Sequence, residues 1–226
     1  GQVRVAVEFI SVDAGTRTML RVEGFHMQVG LGETIRAGGV GRIIESAADG
    51  WDVGQAVIGG LGAQTVATLP ASELKRVDDT LGPLSLHLGV LGGSTGVTAW
   101  IGIREVAKPG PGDTFVVSAA AGAVGSIAGQ IAKRDGARVI GIAGGSVKTA
   151  HLVETLGFDA AIDYKNDDLR AALKNQCPGG VDVYFDNVGG EILDAVLGRL
   201  APKARVVLCG VISSYLTGEH PGPANY

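Results

Sequence analysis

A run of small residues between an apolar segment and a helical pattern is the first feature that could bind a ligand. Residues 114–118 are mostly β-branched or aromatic, residues 119–122 are small, and Val124, Ile127 and Ile131 share one helix face. A strand, a tight turn and a helix in this order let backbone N–H groups approach a pyrophosphate at the positive end of the helix. The pattern Ala119-x-x-Gly122-x-x-Gly125, with alanine in place of the usual first glycine, therefore predicts a dinucleotide site. The alternative is a turn that joins strand to helix for packing alone.

The residues after the next predicted strand indicate which dinucleotide would bind. NAD-binding chains usually carry a carboxylate there to hold both ribose hydroxyls, but this chain has the segment GGSVK at 144–148. Without the acid nothing repels a 2′-phosphate, and Ser146 and Lys148 can donate hydrogen bonds to one. Tyr164, after the third strand, could close over the same phosphate. NADP is therefore favoured; otherwise Ser146 caps a helix, Lys148 is solvated and Tyr164 packs at the sheet edge.

Alternating strands and helices must position these residues. Apolar runs predict strands at 113–118, 137–143, 160–162, 181–185 and 205–209, with helices between them, the later ones at 146–156, about 167–175 and 191–200. This order predicts an α/β fold with a Rossmann-type parallel sheet, helices on both faces and a ligand crevice at the carboxyl ends of the strands. Four of the five strand ends carry glycine or other small residues, which suits a ligand lying close to the backbone.

The first part of the chain has a different pattern. Short strands are predicted at 2–12, 38–45, 53–59 and 64–69 with no helical pattern between them. The pattern becomes helical from Leu84 to Val106, interrupted around 92–96, and a Pro/Gly-rich turn at 108–113 leads into the central strand. We therefore predict two domains, a β-rich domain in residues 1–95 and a Rossmann NADP-binding domain in residues 96–226.

Composition argues against several classes of function. The net charge of −4 gives no reason to expect nucleic acid or an anionic membrane as a partner, and no apolar run reaches membrane-spanning length. Cys177 and Cys209 form no C-x-x-C pair and the four histidines are isolated, so neither a disulfide framework nor a zinc site is expected. The expected compartment is the reducing cytoplasm, with a removed leader left open because the chain begins inside a strand.

Taken together, these features give a chain that resembles the zinc-free members of the medium-chain dehydrogenase/reductase superfamily. It is most similar to the prostaglandin reductase, leukotriene B4 12-hydroxydehydrogenase and alkenal double-bond reductase family. The resemblance rests on residues 119–125, GQIAK at 129–133, LGFD at 156–159, YFDNVGG at 184–190 and CGVISSY at 209–215, within matches from about Val5 to about Pro223. It implies a GroES-like β domain, incomplete at its N-terminal part, before a Rossmann domain that is incomplete at its C-terminal end.

The resemblance also implies a cofactor role for each matching residue. The pyrophosphate would be held by Gly122, Ala123, Val124 and Gly125, and the 2′-phosphate by Lys148 and Tyr164, with Ser146 beside them. The nicotinamide side would be lined by Asn187, Cys209, Gly210, Val211, Ile212, Ser213 and Tyr215. From the residues alone, Asn187 could instead form a strand-end turn and Cys209 could be a buried core residue.

The activity implied by the resemblance is NADPH-dependent hydride transfer, without metal, to the C=C bond of an α,β-unsaturated ketone or aldehyde. Negative charge would develop on the carbonyl oxygen, and Tyr215, the predicted catalytic residue, or a ribose hydroxyl would donate a hydrogen bond to it. Tyr215 could instead only shield the ribose from water. The expected substrate is small and apolar, and a homodimer is left open. The alternatives are a zinc-free NADPH quinone oxidoreductase and a non-catalytic NADPH-binding protein.

Two departures from the family pattern leave the identity of the substrate open. The segment VDAGTR at 12–17 has neither the proline nor the aromatic residue that commonly follows the aspartate, and Ala63 stands where tryptophan is common. In relatives, the segment at 12–17 and the segment around Ala63, residues 61–64, both face the substrate. The sequence also ends at Tyr226 before the family's last Rossmann strand and the returning part of its β domain, and it starts after the usual opening strands. We therefore expect it to be part of a longer protein.

Overall fold

The computed structural model describes residues 1–20 and 28–215, and the chain divides after Thr95 into two compact units. The first unit contains a five-stranded antiparallel sheet in the order β4-β1-β2-β3-β5. Its strands are β1 (Gln2–Ile10), β2 (Gly39–Ser46), β3 (Ala56–Gly59), β4 (Val66–Pro70) and β5 (Lys75–Arg76). The one-turn helix α1 (Thr16–Met19) and 3₁₀ turns at Ala71–Glu73, Asp79–Leu81 and Leu84–His87 complete the unit.

Alternating burial along β1 builds the core of this first sheet. Val3 and Val5 are buried and Arg4 is exposed, so one face packs on the core and the other meets water. The pairing of β1 with β2 shifts register between Val7 and Phe9, beside Gly41. A Cβ at Gly41 would lie 2.0 Å from the carbonyl oxygen of Ala6, so only glycine fits.

The second unit contains a five-stranded parallel sheet in the order β10-β9-β6-β7-β8. Its strands are β6 (Thr114–Ser118), β7 (Arg138–Ala143), β8 (Ala160–Asp163), β9 (Val181–Asp186) and β10 (Leu200–Leu208). The helices are α2 (Gly96–Ile101), which continues as a π-helical segment (Gly102–Ala107), α3 (Ala123–Arg134), α4 (Ser146–Ala150), which continues as a second π-helical segment (His151–Thr155), α5 (Leu169–Gln176) and α6 (Gly190–Leu197). A 3₁₀ turn (Ile212–Ser214) follows β10.

The two faces of the parallel sheet bury separate cores. Phe115 and Val117 of β6 pack on one side with Ala128 of α3, whereas Val116 packs on the other side with residues of α5 and α6 such as Leu173. Both sets are fully buried, as expected for a parallel sheet covered by helices on each face. The predicted fold class is confirmed.

The bounds of several elements differ from the prediction for local reasons. The helical stretch 84–106 is interrupted before Gly96, as predicted, but its first part is only a 3₁₀ turn (Leu84–His87). Strand β10 begins at Leu200, where a helix was predicted, and its register shifts before Arg205, with Lys203 at a φ of 66°. This irregularity hides the first half of the strand from a periodicity argument. No helix in the described ranges is long and apolar enough to span a bilayer.

Candidate functional site

A cavity of about 630 Å³ runs along the carboxyl ends of the parallel strands. Its lining residues come from the ends of all five strands: Ala119, Ala121, Gly122, Ala143, Gly144, Lys148, Tyr164, Val188, Gly189, Gly190, Glu191, Ile192, Ile212, Ser213 and Ser214. Neighbouring strands lie about 4.8 Å apart, so five strand ends extend over about 19 Å. The volume is typical of a small-molecule site, and the length suits an extended dinucleotide.

The turn after β6 is the part of this cavity with the most constrained backbone. Ala119 has a φ of 47°, in the left-handed region that glycine adopts without steric cost. The alanine that replaces the usual first glycine of the pattern thus takes up the same kind of conformation. The N–H of Gly122 donates to the carbonyl oxygen of Ala119 at 2.8 Å. A Cβ at Gly125 would lie 2.5 Å from that oxygen, so the start of α3 packs against the turn only because residue 125 is glycine.

The N-terminus of α3 presents unused hydrogen-bond donors. Its N-cap is Gly122, which has no side chain to cap the helix. The backbone N–H groups of Ala123, Val124 and Gly125 have no acceptor in the part of the chain that the structure describes. By contrast, the N-cap Asp168 of α5 accepts a hydrogen bond from the N–H of Ala171 at 3.1 Å. Helix α3 can therefore offer these donors, and the positive end of its dipole, to a bound anion.

The turn after β7 is held by a carboxylate from the neighbouring strand. Asp163 accepts hydrogen bonds from the N–H of Gly145 at 2.8 Å and from the amide of Asn166 at 2.7 Å. The hydrogen bond from Gly145 contributes most, followed by the one from Asn166, and together they hold the pKa of Asp163 below its ordinary value. The ring of Tyr164 and the chain of Lys165 both pack over Gly144, since a Cβ there would lie 2.9 Å from each. The carboxylate of Asp163 is therefore occupied by protein donors.

Positive charge lines the cavity at this β7–β8 end. Lys148 and the 43% exposed Tyr164 both contact the cavity, and Lys148 forms no ion pair with any described residue. Ser146 begins α4 and is exposed beside the cavity. A free lysine and a phenol at one end, with no acid on the turn itself, suit a phosphate group.

At the other end the turns after β9 and β10 are joined to each other. The carbonyl oxygen of Asp186 accepts hydrogen bonds from the N–H groups of Cys209 and Gly210 at 2.8 and 3.1 Å. The hydroxyl of Ser213 donates to the carbonyl oxygen of Val188 at 2.6 Å. Burial, together with the charge of Asp186, raises the pKa of the Cys209 thiol, which therefore stays protonated. These bonds fix the backbone that closes this end.

Asn187 and Tyr215 follow β9 and β10 at the carboxyl edge of the sheet. The side-chain amide of Asn187 donates to the carbonyl oxygen of Ser118 at 2.8 Å, so it joins the ends of β9 and β6. Tyr215 ends the 3₁₀ turn after β10, is half-buried and donates its N–H to the carbonyl oxygen of Ile212 at 3.3 Å. Neither side chain lines the cavity as the structure describes it.

The structure brings only part of the predicted site residues to the cavity wall. Those that line it are Gly122, Lys148, Tyr164, Ile212 and Ser213, and those that do not line it are Ala123, Val124, Gly125, Ser146, Asn187, Cys209, Gly210, Val211 and Tyr215. The prediction missed lining residues such as Ala143, Glu191 and Ile192. The rule that ligands bind at strand carboxyl ends could have found Ala143, whereas Glu191 and Ile192 line the cavity only because the first turn of α6 reaches it.

A second cavity, of about 580 Å³, lies within the first unit. It is lined by parts of the two segments that depart from the family pattern, including Asp13 and Thr16 from one and Gly62 and Gln64 from the other, together with Arg36. Within residues 1–20 and 28–215, the structure contains no cluster of three or more His, Cys, Asp or Glu side chains that could hold a metal ion. His26 and His220 lie outside these residues.

A parallel sheet covered by helices on both faces, a separate antiparallel sheet, and an edge cavity beside a glycine turn define a two-domain dehydrogenase/reductase. Comparison with known protein families gives the same class of protein. Residues 123–222 match the family described as zinc-binding dehydrogenase, and residues 1–77 match the N-terminal domain of oxidoreductase. The chain belongs to the zinc-free alkenal and enone reductases of the medium-chain dehydrogenase/reductase superfamily.

Several relatives support this assignment. The NADPH-dependent curcumin reductase of Escherichia coli is 39% identical over 225 residues, covering 99% of this chain and 65% of that protein. The NADP-dependent 2-alkenal reductase of Nicotiana tabacum is 39% identical over 221 residues, covering 96% and 64%. The crystal structure of CurA from Vibrio vulnificus in complex with NADPH superposes on this chain with a TM-score of 0.91 and 37% sequence identity. The match covers 100% of this chain and 67% of the CurA chain. The chain thus spans about two thirds of the length of its relatives.

Proposed function

We propose that the protein is an NADPH-dependent oxidoreductase that reduces the C=C bond of a small, apolar α,β-unsaturated ketone or aldehyde without a metal. The observation that carries this proposal is the cavity along the parallel sheet, with an uncapped α3 at its centre and Lys148 and Tyr164 at one end. The relatives named as curcumin and 2-alkenal reductases, and the CurA complex with NADPH, support it. The enzyme would act in the cytoplasm, with neither nucleic acid nor membrane as a partner, and a homodimer is left open.

The residues of the cavity fit this cofactor. The free N–H groups at the start of α3, from residues 123–125 beside Gly122, would bind the pyrophosphate. Lys148, Tyr164 and Ser146 would bind the 2′-phosphate, because the carboxylate of Asp163, which contacts the β7 turn, is engaged by the N–H of Gly145. The nicotinamide side would be formed by Asn187, Cys209, Gly210, Val211, Ile212, Ser213 and Tyr215.

The cofactor, when bound, would supply a hydride to the β-carbon of the substrate. The protein's part would be to position the substrate and to stabilise the negative charge that develops on its carbonyl oxygen. Tyr215 would do this as a hydrogen-bond donor through its phenolic O–H group. Cys209 would contribute its position only, because its raised pKa keeps the thiol from acting as a nucleophile.

Cofactor preference tests the binding half of the proposal. NADPH should bind much more tightly than NADH in a fluorescence titration, and Lys148→Glu should weaken NADPH by about 1.5–3 kcal/mol, the contribution of one charged hydrogen bond. NADH affinity should change little. Lys174→Glu, which reverses an exposed lysine on α5 outside the cavity lining, is the matched control. Equal affinities of the unmodified protein for the two cofactors would contradict the proposed 2′-phosphate site.

Substrate turnover tests the catalytic half. NADPH consumption should be measured in the full-length protein with a panel of enones, aldehydes and quinones, and enones should yield the saturated ketone. Turnover of quinones alone would identify a quinone oxidoreductase, and binding without turnover a non-catalytic NADPH-binding protein. Activity should survive dialysis against a chelator; loss of activity that zinc restores would show that a metal is needed.

The proposed role of Tyr215 has its own test. Tyr215→Phe should lower the turnover of an enone by about 100-fold, the scale of losing one oxyanion donor, with little change in NADPH affinity. Tyr164→Phe is the control, because the same hydroxyl is removed from the 2′-phosphate end of the cavity and should affect NADPH binding instead. If Tyr215→Phe keeps its turnover, the tyrosine only shields the cofactor and the donor is another group.

A further inference from the structure

We propose that Asp186 is the positioning residue of the cofactor site: its buried carboxylate joins the turn after β9 to the turn after β6 and so sets the spacing of the central walls of the cavity. This inference rests on the proposed function, since it concerns the same cavity. Asp186 itself would contact neither cofactor nor substrate, because it does not line the cavity.

Five hydrogen bonds converge on this carboxylate. Its Oδ1 accepts from the hydroxyls of Ser118 at 2.9 Å and Tyr184 at 2.7 Å. The same oxygen accepts from the backbone N–H groups of Val188 at 3.0 Å and Gly189 at 3.1 Å. The other oxygen, Oδ2, accepts from Gly189 at 3.0 Å. The donors come from β6, from β9 and from the loop just before α6, so one side chain fixes all three.

The charge of Asp186 is stabilised by neutral donors alone. Its side chain is fully buried, and no Lys, Arg or His of the described chain forms an ion pair with it. Burial, and then the charge of Asp186, raises the pKa of Tyr184, so this phenol remains a donor. A buried carboxylate without a cation needs all its hydrogen bonds. The network therefore has little freedom to adjust when one member is lost.

The network reaches further through Ser118 and the backbone. The Ser118 hydroxyl also accepts from the N–H of Asn187 at 2.8 Å, and Ser118 directly precedes the left-handed Ala119 of the β6 turn. The carbonyl oxygen of Asp186 accepts the N–H groups of Cys209 and Gly210 after β10. Asp186 thus joins the turns after β6, β9 and β10, which together carry more than half of the residues that line the cavity.

Asp182 provides a matched control on the same strand. Its carboxylate also links β9 to β6, accepting the N–H of Thr114 at 2.8 Å, but at the amino ends of the strands. Asp182→Asn and Asp186→Asn therefore make the same chemical change to a β9–β6 contact at opposite edges of the sheet. Only the second lies beside the cavity.

Hydrogen exchange of the ligand-free protein tests the positioning without relying on the cofactor. Asp186→Asn should raise exchange by about tenfold or more in peptides that cover residues 187–190, because the N–H groups of Val188 and Gly189 lose their charged acceptor. Exchange should also rise in peptides that cover residues 118–122, because the Ser118 hydroxyl no longer holds the end of β6 to the carboxylate. Asp182→Asn should leave these peptides unchanged. Unchanged exchange in Asp186→Asn would overturn the proposal whether or not NADPH binds.

NADPH titration then tests the consequence for binding. We expect the dissociation constant to rise about 10- to 100-fold in Asp186→Asn and less than about twofold in Asp182→Asn. Failure of the unmodified protein to bind NADPH would contradict the proposed function, whereas binding that is insensitive to Asp186→Asn would overturn only the inference drawn here.

Single-donor variants keep the proposal testable if Asp186→Asn does not fold. Ser118→Ala should weaken NADPH binding more than Tyr184→Phe, because only the Ser118 hydroxyl also accepts the N–H of Asn187 in the turn after β9, whereas the Tyr184 hydroxyl contacts Asp186 and Ser118 alone among the described residues. The combined Ser118→Ala and Asp186→Asn change should be less than additive, as for partners in one network. If affinity losses simply follow losses in melting temperature across these variants and Asp182→Asn, the network is only structural and the proposal is wrong.

Discussion

The turn after β6 and the turn after β9 both lead from a parallel strand through glycine into a helix, yet they use their backbone donors differently. After β9, the carboxylate of Asp186 accepts the N–H groups of Val188 and Gly189. After β6, residues 119–122 carry no polar side chain, and the first N–H groups of α3 have no acceptor among the described residues. A glycine-rich turn is therefore a site for an external anion only where the sequence supplies no internal carboxylate.

Closing the open turn should have the largest effect. In Gly125→Ala the new Cβ would lie 2.5 Å from the carbonyl oxygen of Ala119, so α3 must shift away from the turn. Losing about two charged hydrogen bonds to the pyrophosphate should weaken NADPH more than about 100-fold in a titration. Gly110→Ala is the control, because a Cβ there meets nothing within 4 Å. Near-normal binding by Gly125→Ala would show that α3 does not hold the phosphates.

Giving the β6 turn its own carboxylate should make it resemble the β9 turn. Ala121 lines the cavity, two residues before α3. In Ala121→Asp, repulsion between the new carboxylate and the pyrophosphate should cost about 2 kcal/mol, the scale of two like charges in a partly solvated site, or about 30-fold in NADPH affinity. The melting temperature should not fall, since an acid near a helix N-terminus is favourable. Ala121→Asn, which is similar in size but uncharged, should bind NADPH nearly normally; an equal loss in both variants would point to steric hindrance.

The smallest expected effect concerns the left-handed residue of the β6 turn. Ala119→Gly should relieve about 1 kcal/mol of backbone strain, partly offset by the greater freedom of glycine in the unfolded chain. We expect a rise of about 1–2 °C in melting temperature. Ala120→Gly, at a buried neighbour whose φ is not positive, should lower the melting temperature instead. Similar losses in both variants would mean that Ala119 is not strained.

Local patterns predicted the features that depend on neighbouring residues. The apolar runs of β6, β7 and β9 and the glycines that end them were sufficient for the parallel sheet, its crevice and the β6 turn. The contact between Ser118 and Asp186 could not be found in this way, because the two residues are 68 positions apart and each one alone is typical of a strand end. The first half of β10 was missed because a register shift interrupts its periodicity. Sequence periodicity describes which face a residue occupies, and it carries no information about which distant polar group will meet it.

The distance along the chain between β6 and β9 also bears on how the protein folds. Strand β6 pairs with β7 across 24 residues, from Thr114 to Arg138, but with β9 across 68 residues, from Val117 to Phe185. Closing the longer loop costs about 0.9 kcal/mol more in chain entropy, and pairings between distant segments form slowly. The β6–α3–β7 unit can therefore form from local contacts, whereas the β9 side of the cavity is completed later. During synthesis on the ribosome, the chain must extend past residue 214 before all the residues that line this cavity are present.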